Sequence, residues 1–372
     1  MHVKMRGTRG SVPVAGLDHI YFGGNTTCIQ IESECIPADS WLLVDTGTGA
    51  IPLSREALAA GIKHLRVLCT HSHHDHTQGL LLMPQLYIPG IKYYFYGPEE
   101  NGVGPAEVIR DLMTPPKHPV DFAEVSNDLS FKTIEHPSKM VMVIHPEGGY
   151  RLMVVDEFLK VEASVGSDEP AQVRMGKNGK YALRECLVVR MYRSNHPERT
   201  ICYRFEERPT GKVFVFLTDH ENTDGISAKM REHLSGADLL VMDAQYSREV
   251  YDKRTAGFGH GTPDYCVRVA HAVGAKRLGL THHDPMATDN DIWAIEDEAY
   301  KHAEAIGYVG EIAALRDYVS ADFQQLYRAL QALAQLALEL GYKASMFGET
   351  GLFQLTIRQG DDFVPRKTAI DV

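Results

Sequence analysis

The stretch "LCTHSHHDHTQGL", residues 68–80, sets four histidines and one aspartate into positions 71–76, directly behind an apolar run. Histidine is a poor core residue and a poor turn former, so packing gives no reason for the cluster. At the end of an extended strand alternate residues point the same way, so His71 and His73 can grip one ion from one side. Asp75 and His76 come next, near the start of a helix predicted to begin at Thr77, and can face a second ion. Imidazole with carboxylate suits zinc, iron or manganese rather than calcium, which prefers an all-oxygen shell. His74 is expected to point away or pack locally.

Outward from this loop, short β-branched runs recur between Gly, Asn, Asp and Pro punctuation: "TTCIQIES", "SWLLVDTG", "HLRVLCT", "ECLVVRMYR", "RTICYRF", "GKVFVFLTD", "ADLLVMDA" and "AKRLGLTH". Helical patterns such as "SREALAAGIK" and "PDYCVRVAHAVG" fall between several of them, which predicts an α/β or α+β fold rich in sheet. Four runs lead straight into a metal-ligand residue type: His71, His196, Asp219 and His282. Strand ends hold side chains firmly while leaving them accessible, so four such endings can converge on one site.

The 372 residues, 44% hydrophobic and 23% charged, can bury a full globular core. The start "MHVKMRGTRGSVPV" lacks the apolar centre of a signal peptide, and no run approaches the roughly 20 apolar residues of a membrane span. A cytoplasmic protein without membrane association is expected. Six scattered cysteines without pairing spacing are expected to be reduced. The net charge of -11 argues against broad nucleic-acid binding but leaves room for a small anionic substrate at a metal. Two segments look additional. Residues 138–185 are rich in turn formers and balanced in charge, and residues 318–372 open with a helical stripe through Leu326, Leu330, Leu333, Ala337 and Leu340. That stripe is expected to pack on the main body, a homodimer contact being the second reading.

"THSHHDHTQG" matches the H-x-H-x-D-H signature of the metallo-β-lactamase superfamily, and His196, Asp219 and the final "LTH" at His282 follow in that family's order. The chain resembles this family over roughly residues 5 to 315. The resemblance implies an αββα sandwich over residues 1–317, with 138–185 as an insertion and 318–372 as a helical extension. It further implies one ion on His71, His73 and His196, a second on Asp75, His76 and His282, and Asp219 bridging them. "VDTGTG", "VMDAQY", "GFGHGTPDYCVRVA" and "LTHHDP" are similar to the phosphodiesterase-like branch, which includes cyclic-nucleotide phosphodiesterases, a phosphonate-pathway cyclic phosphodiesterase and the tRNA 3′-processing endonuclease. Gly261 stands where that branch's G-H-S-T motif has serine, which keeps the imidazole of His260 but removes a hydroxyl that could orient it.

The expected activity is hydrolysis of a small phosphodiester, such as a cyclic nucleotide, by a metal-bridging hydroxide. Two divalent transition-metal ions are expected, zinc first and manganese or iron as alternatives. Asp75, Asp219 and His260 are the groups expected to act in catalysis, His260 as acid to the leaving alkoxide. Lactone, thioester or β-lactam hydrolysis is the first alternative, an endonuclease the second, and an iron-dependent oxygenase the third. Asp45 is expected to orient a ligand histidine, and Asp243 to stand behind the ligands.

Overall fold

The alternating apolar runs pair into two large sheets in a computed structural model, which describes residues 1–125, 128–163, 171–176, 179–221, 225–318, 336, 343–349 and 352–358. The first sheet follows chain order: β1 (His2–Gly7), β2 (Cys28–Glu32), β3 (Ser40–Val44), β4 (His64–Leu68), β5 (Lys92–Pro98) and β6 (Leu129–Ile134). Its first three strands are antiparallel and the remainder run parallel from β3. Leu43 packs with Leu53 and Ala57 of the helix Ala50–Ala59, while Leu42 and Val44, pointing to the opposite face, are equally buried. A sheet covered on both faces is what continuous apolar strands require. Each fully buried side chain of this size contributes about 1.5–3 kcal/mol.

The second sheet contains β7 (Met140–His145), β8 (Gly149–Val154), β11 (Leu187–Arg193), β12 (Ile201–Glu207), β13 (Lys212–Leu217), β14 (Leu239–Asp243), β15 (Arg277–Thr281) and β16 (Glu311–Ala314). β9 (Gln172–Met175) and β10 (Gly179–Ala182) form a separate ribbon. The order in the second sheet is β16-β15-β14-β13-β12-β11-β7-β8, parallel from β13 to β16 and antiparallel elsewhere. Leu240 and Met242 join Val267 and Ala270 of the helix Pro263–Val273 and Ile295 of the helix Asp289–Ile306, with Val241 buried on the other face. The sheets are tied where the site will form. Tyr203 Oη donates to the Cys69 carbonyl at 2.8 Å, and Ile201 N donates to the Thr70 carbonyl at 2.9 Å. Helix, sheet, sheet and helix follow as layers, an αββα sandwich.

Three expectations need correction. The segment 138–185 is not an appendage: "MVMVIH" forms β7, pairs with β11, and with β8 completes the sheet edge, its Val141 and Val143 packing on Phe158 and Val188. The helix after the histidine loop spans His74–Thr77 rather than beginning at Thr77, because His73 is already extended at φ -61°, ψ 155° and the turn starts behind it. The extension is not wholly helical. β17 (Lys343–Glu349) and β18 (Leu352–Arg358) form an antiparallel ribbon, as the β-branched and aromatic residues of "FQLTI" favour. The stripe through Leu326, Leu330, Leu333, Ala337 and Leu340 lies outside the described residues.

The chain divides into two compact units, Met1–Tyr318 and Val319–Val372. No described helix is long and apolar enough to cross a membrane. All six cysteines are buried and free.

Candidate metal centre

The site is built where strands stop. Asp45 follows β3, Asp219 lies just beyond β13, and His282 follows β15; all three take left-handed backbone conformations, with φ of 59°, 44° and 62°. Such residues cost on the order of 1–3 kcal/mol each and persist where surrounding structure dictates them. Here each one turns the chain sharply off its strand and leaves a polar side chain in the crevice between the sheets.

Three overlapping groups of ligand atoms result among the described residues. His71, His73, His196 and Asp219 form one, Asp75, His76 and His282 the second, and Asp219 and His282 form a third with His260. Asp219 divides its oxygens between the first two: Oδ2 lies 3.5 Å from His71 Nε2 and 3.9 Å from His196 Nε2, while Oδ1 lies 3.3 Å from the Nε2 of both His76 and His282. Asp75 Oδ2 is 3.2 Å from His76 Nε2 and 3.1 Å from His282 Nε2, and accepts from the Ser11 amide at 2.8 Å.

The opposite edge of the imidazoles is occupied by acceptors. His76 Nδ1 donates to Asp45 Oδ2 at 2.8 Å, His196 Nδ1 to the Gly259 carbonyl at 3.0 Å and His282 Nδ1 to Gln245 Oε1 at 3.3 Å. His71 Nδ1 lies 3.2 Å from Thr70 Oγ1, whose hydroxyl donates to Asp45 Oδ2 at 2.8 Å. Asp45 thereby backs two of the histidines. This pattern fixes the tautomer that offers Nε2 as a lone pair. The Nε2 atoms of His71, His76 and His196 are buried and have no hydrogen-bond partner. Buried polar atoms normally have one, and several aimed at common points are what cations would satisfy. The donor set fits two divalent transition-metal ions.

The charge distribution agrees. Burial, followed by the neighbouring His76, holds His71 well below the usual histidine range, and burial also lowers His196. Burial would likewise lower His282, yet Asp219, Asp75 and Asp243 push it up to about 9, and the carboxylates of Asp75, Asp219 and Asp45 raise His76. Burial works against the Asp219 carboxylate, but His282, His76 and His71 keep it well below its ordinary value. Three buried carboxylates call for positive charge here, from protons or from metal ions.

His260 stands next to the second group. Its ring stacks on His282 with centroids 4.9 Å apart, and its Nδ1 donates to Asp243 Oδ2 at 2.8 Å. A Cβ at residue 261 would lie 2.3 Å from the Asp243 carbonyl oxygen, so glycine is required where the related motif has serine. Asp243 orients the imidazole in place of the missing hydroxyl. Gly259 has a φ of 93°, which residues with a side chain rarely adopt, and a Cβ there would lie 2.4 Å from His196 Nδ1. Glu221 accepts from the amides of Gly257 and Gly259, both at 2.7 Å, and so pins this loop against His196 and His260.

The metallo-β-lactamase superfamily model matches residues 22–161, and a β-lactamase superfamily domain model matches residues 155–283. The chain belongs to the metallo-β-lactamase superfamily. Ribonuclease Z of Streptomyces coelicolor is 25% identical over 298 residues, covering 74% of this chain and 86% of that protein. Ribonuclease Z of Brevibacillus brevis is 26% identical over 280 residues, covering 69% and 79%. The fold is shared with yeast PDE1, at TM-score 0.54 and 14% identity over 84% of this chain and 97% of that one. It is also shared with the metallo-β-lactamase fold protein YhfI of Bacillus subtilis, at TM-score 0.51 and 15% identity over 86% and 97%. The protein is a metal-dependent hydrolase of this superfamily.

Within the superfamily fold, His71, His73, Asp75, His76, His196, Asp219 and His282 all converge, and His260 lies beside them. His74 is exposed outside the cluster. Of the arginines nearest His196, Arg199 Nε lies 3.9 Å from Glu100 Oε2, and Arg193 is exposed at the end of β11. Sequence reading missed Glu198, whose Oε2 lies 3.2 Å from His73 Nε2 and 3.3 Å from His196 Nε2. It also missed Glu221 and the Asp243–His260 pair. Only the two-residue spacing of Glu198 from His196 marks it in the sequence.

Proposed function

We propose that the protein hydrolyses a phosphodiester, using two divalent transition-metal ions held by His71, His73 and His196 on one side and by Asp75, His76 and His282 on the other, with Asp219 between them. The observation that carries this reading is His260, held on Asp243 at 2.8 Å beside the ligand cluster. With Nδ1 committed to Asp243, Nε2 is the atom left to hold a proton for a leaving oxygen. A diester's alkoxide is a poor leaving group and gains most from such a donor, whereas a thioester's thiolate needs little help. Bound metal ions would lower the pKa of water and neutralise phosphoryl oxygens. Asp243 fixes the imidazole's tautomer, and Glu221 fixes the loop that carries it. A cavity of about 160 Å³ opens beside His260, lined by Arg248, Tyr251, Thr262, Tyr265 and Arg268 among others, where a small leaving group can sit.

The proposed substrate is a small diester, in keeping with a net charge of -11. RNA is the second reading, favoured by the ribonuclease Z relatives. One panel separates them: cyclic and linear nucleotide diesters, RNA with a 3′ extension, a lactone, a thioester and a β-lactam, each with Zn2+, Mn2+ and Fe2+. Turnover of small diesters well above the rest supports the proposal. Preference for RNA replaces the substrate, and preference for the lactone or thioester overturns the chemistry.

A further inference from the structure

We propose that Glu198 is itself a ligand of the ion held by His71, His73 and His196, giving that position a second carboxylate besides Asp219. Glu198 Oε2 lies 3.2 Å from His73 Nε2 and 3.3 Å from His196 Nε2. Yet Glu198 Oε2 and His196 Nε2 are both buried atoms without a hydrogen-bond partner. Close approach without hydrogen-bond alignment means the atoms lie side by side rather than pointing at one another. Ligand atoms about 2.1 Å from one ion, at angles between square and tetrahedral, lie roughly 3.0–3.4 Å apart, and Glu198 Oε2 stands at that spacing from His73 and His196.

The loop bearing Glu198 is anchored without using its carboxylate. The Thr200 amide donates to the Glu198 carbonyl at 3.0 Å, and Ser194 N donates to the Thr200 carbonyl at 2.8 Å. Arg199 N donates to Glu100 Oε2 at 2.9 Å. The Glu198 side chain is 38% exposed and the neighbouring His73 is 45% exposed, so this pair lies on the solvent-facing side of the ligand cluster.

Three histidines, Asp219 and Glu198 make five donors, one more than a tetrahedral zinc site uses. Added carboxylate oxygen shifts the position towards harder ions, so Mn2+ or Fe2+ gains relative to Zn2+. The proposal rests on the two-ion reading above and concerns only the chain's own residues.

The test uses the full chain, stripped of metal and titrated with Mn2+, Zn2+ and Co2+ against a chromogenic chelator, for wild type, Glu198→Ala and Glu198→Gln. Glu198→Ala should weaken one Mn2+ by about 10–100-fold or more, the range reached even by residues that only support ligands. It should weaken Zn2+ less and leave the other ion unchanged. The visible Co2+ bands should intensify as the coordination number falls. Glu198→Gln keeps shape and an oxygen donor, should lose less, and carries the comparison if the alanine variant does not fold. Wild-type affinities and an unchanged Co2+ spectrum in both variants would remove Glu198 from the site while leaving the two-ion reading intact. One ion or none in the wild type would overturn the two-ion reading and this assignment with it.

Discussion

Asp45 accepts from His76 Nδ1 at 2.8 Å, and that contact aims His76 Nε2 at Asp75 and Asp219, 3.2 and 3.3 Å away. Asp45→Asn keeps the shape and tolerates the left-handed backbone but removes the charge behind the imidazole. Metal affinity at the position shared by Asp75, His76 and His282 should fall about 10–100-fold. Equilibrium competition with a chelator reads this directly, and two ions held at wild-type affinity would contradict it.

Asp219 serves both ligand groups, so its loss should be felt by both. Asp219→Asn should hold fewer than two ions per chain by elemental analysis. Its turnover should fall by at least about 100-fold, the scale on which single electrostatic groups act in such sites. The fold should survive, because the apolar clusters lie elsewhere, and circular dichroism checks that.

His260→Ala should discriminate between leaving groups. A positioned acid contributes about 10²–10⁴-fold when the departing alkoxide is basic, and little when a nitrophenolate leaves. The variant should therefore lose far more rate on a cyclic nucleotide than on a nitrophenyl diester, with metal content unchanged. Equal losses on both substrates would leave His260 only shaping the glycine-rich loop. Loss of metal would make it a ligand, since its ring also lies within reach of the Asp219 and His282 ligand atoms.

His283 donates from Nε2 to the Leu315 carbonyl at 2.7 Å in a fully buried setting. Burial, aided by Arg9, lowers it from 6.5 to about 3. Because the folded value is depressed, the unfolded chain takes up the proton first. The stability it confers is complete above pH 6.5 and is lost as pH falls towards about 3. The expected slope is about 1.4 kcal/mol per pH unit. His283→Gln should flatten the fall in urea-unfolding free energy between about pH 6 and 4.5 by roughly that amount. A parallel fall in wild type and variant would show that His283 carries none of it.

Much of this site is legible in the sequence because ligand chemistry restricts residue types so strongly. His71, His73, Asp75 and His76 stand together, and Asp219 and His282 sit where apolar runs stop. The supporting partners are not legible in the same way. Asp243 and His260 are joined only by the approach of β14 to the loop before the helix Pro263–Val273, and a lone glutamate beside Pro197 carries no pattern. Gly261 read as a lost hydroxyl, whereas the crowding of the Asp243 carbonyl makes it a steric requirement. Residues 138–185 read as an addition because turn formers surround "MVMVIH", although that run is continuously apolar, as a strand paired on both sides and buried on both faces is.

The ligands come from both halves of the sandwich: His71 from the end of β4 in the first sheet, His196, Asp219 and His282 from the second. An ion bound here is a rivet through two plates. Neither sheet alone carries a complete set for either position, so metal binding resists sliding of one sheet on the other as well as serving chemistry. Stripping the metal should therefore loosen the crevice between β4 and β13 first, leaving the helix-covered outer faces protected from hydrogen exchange.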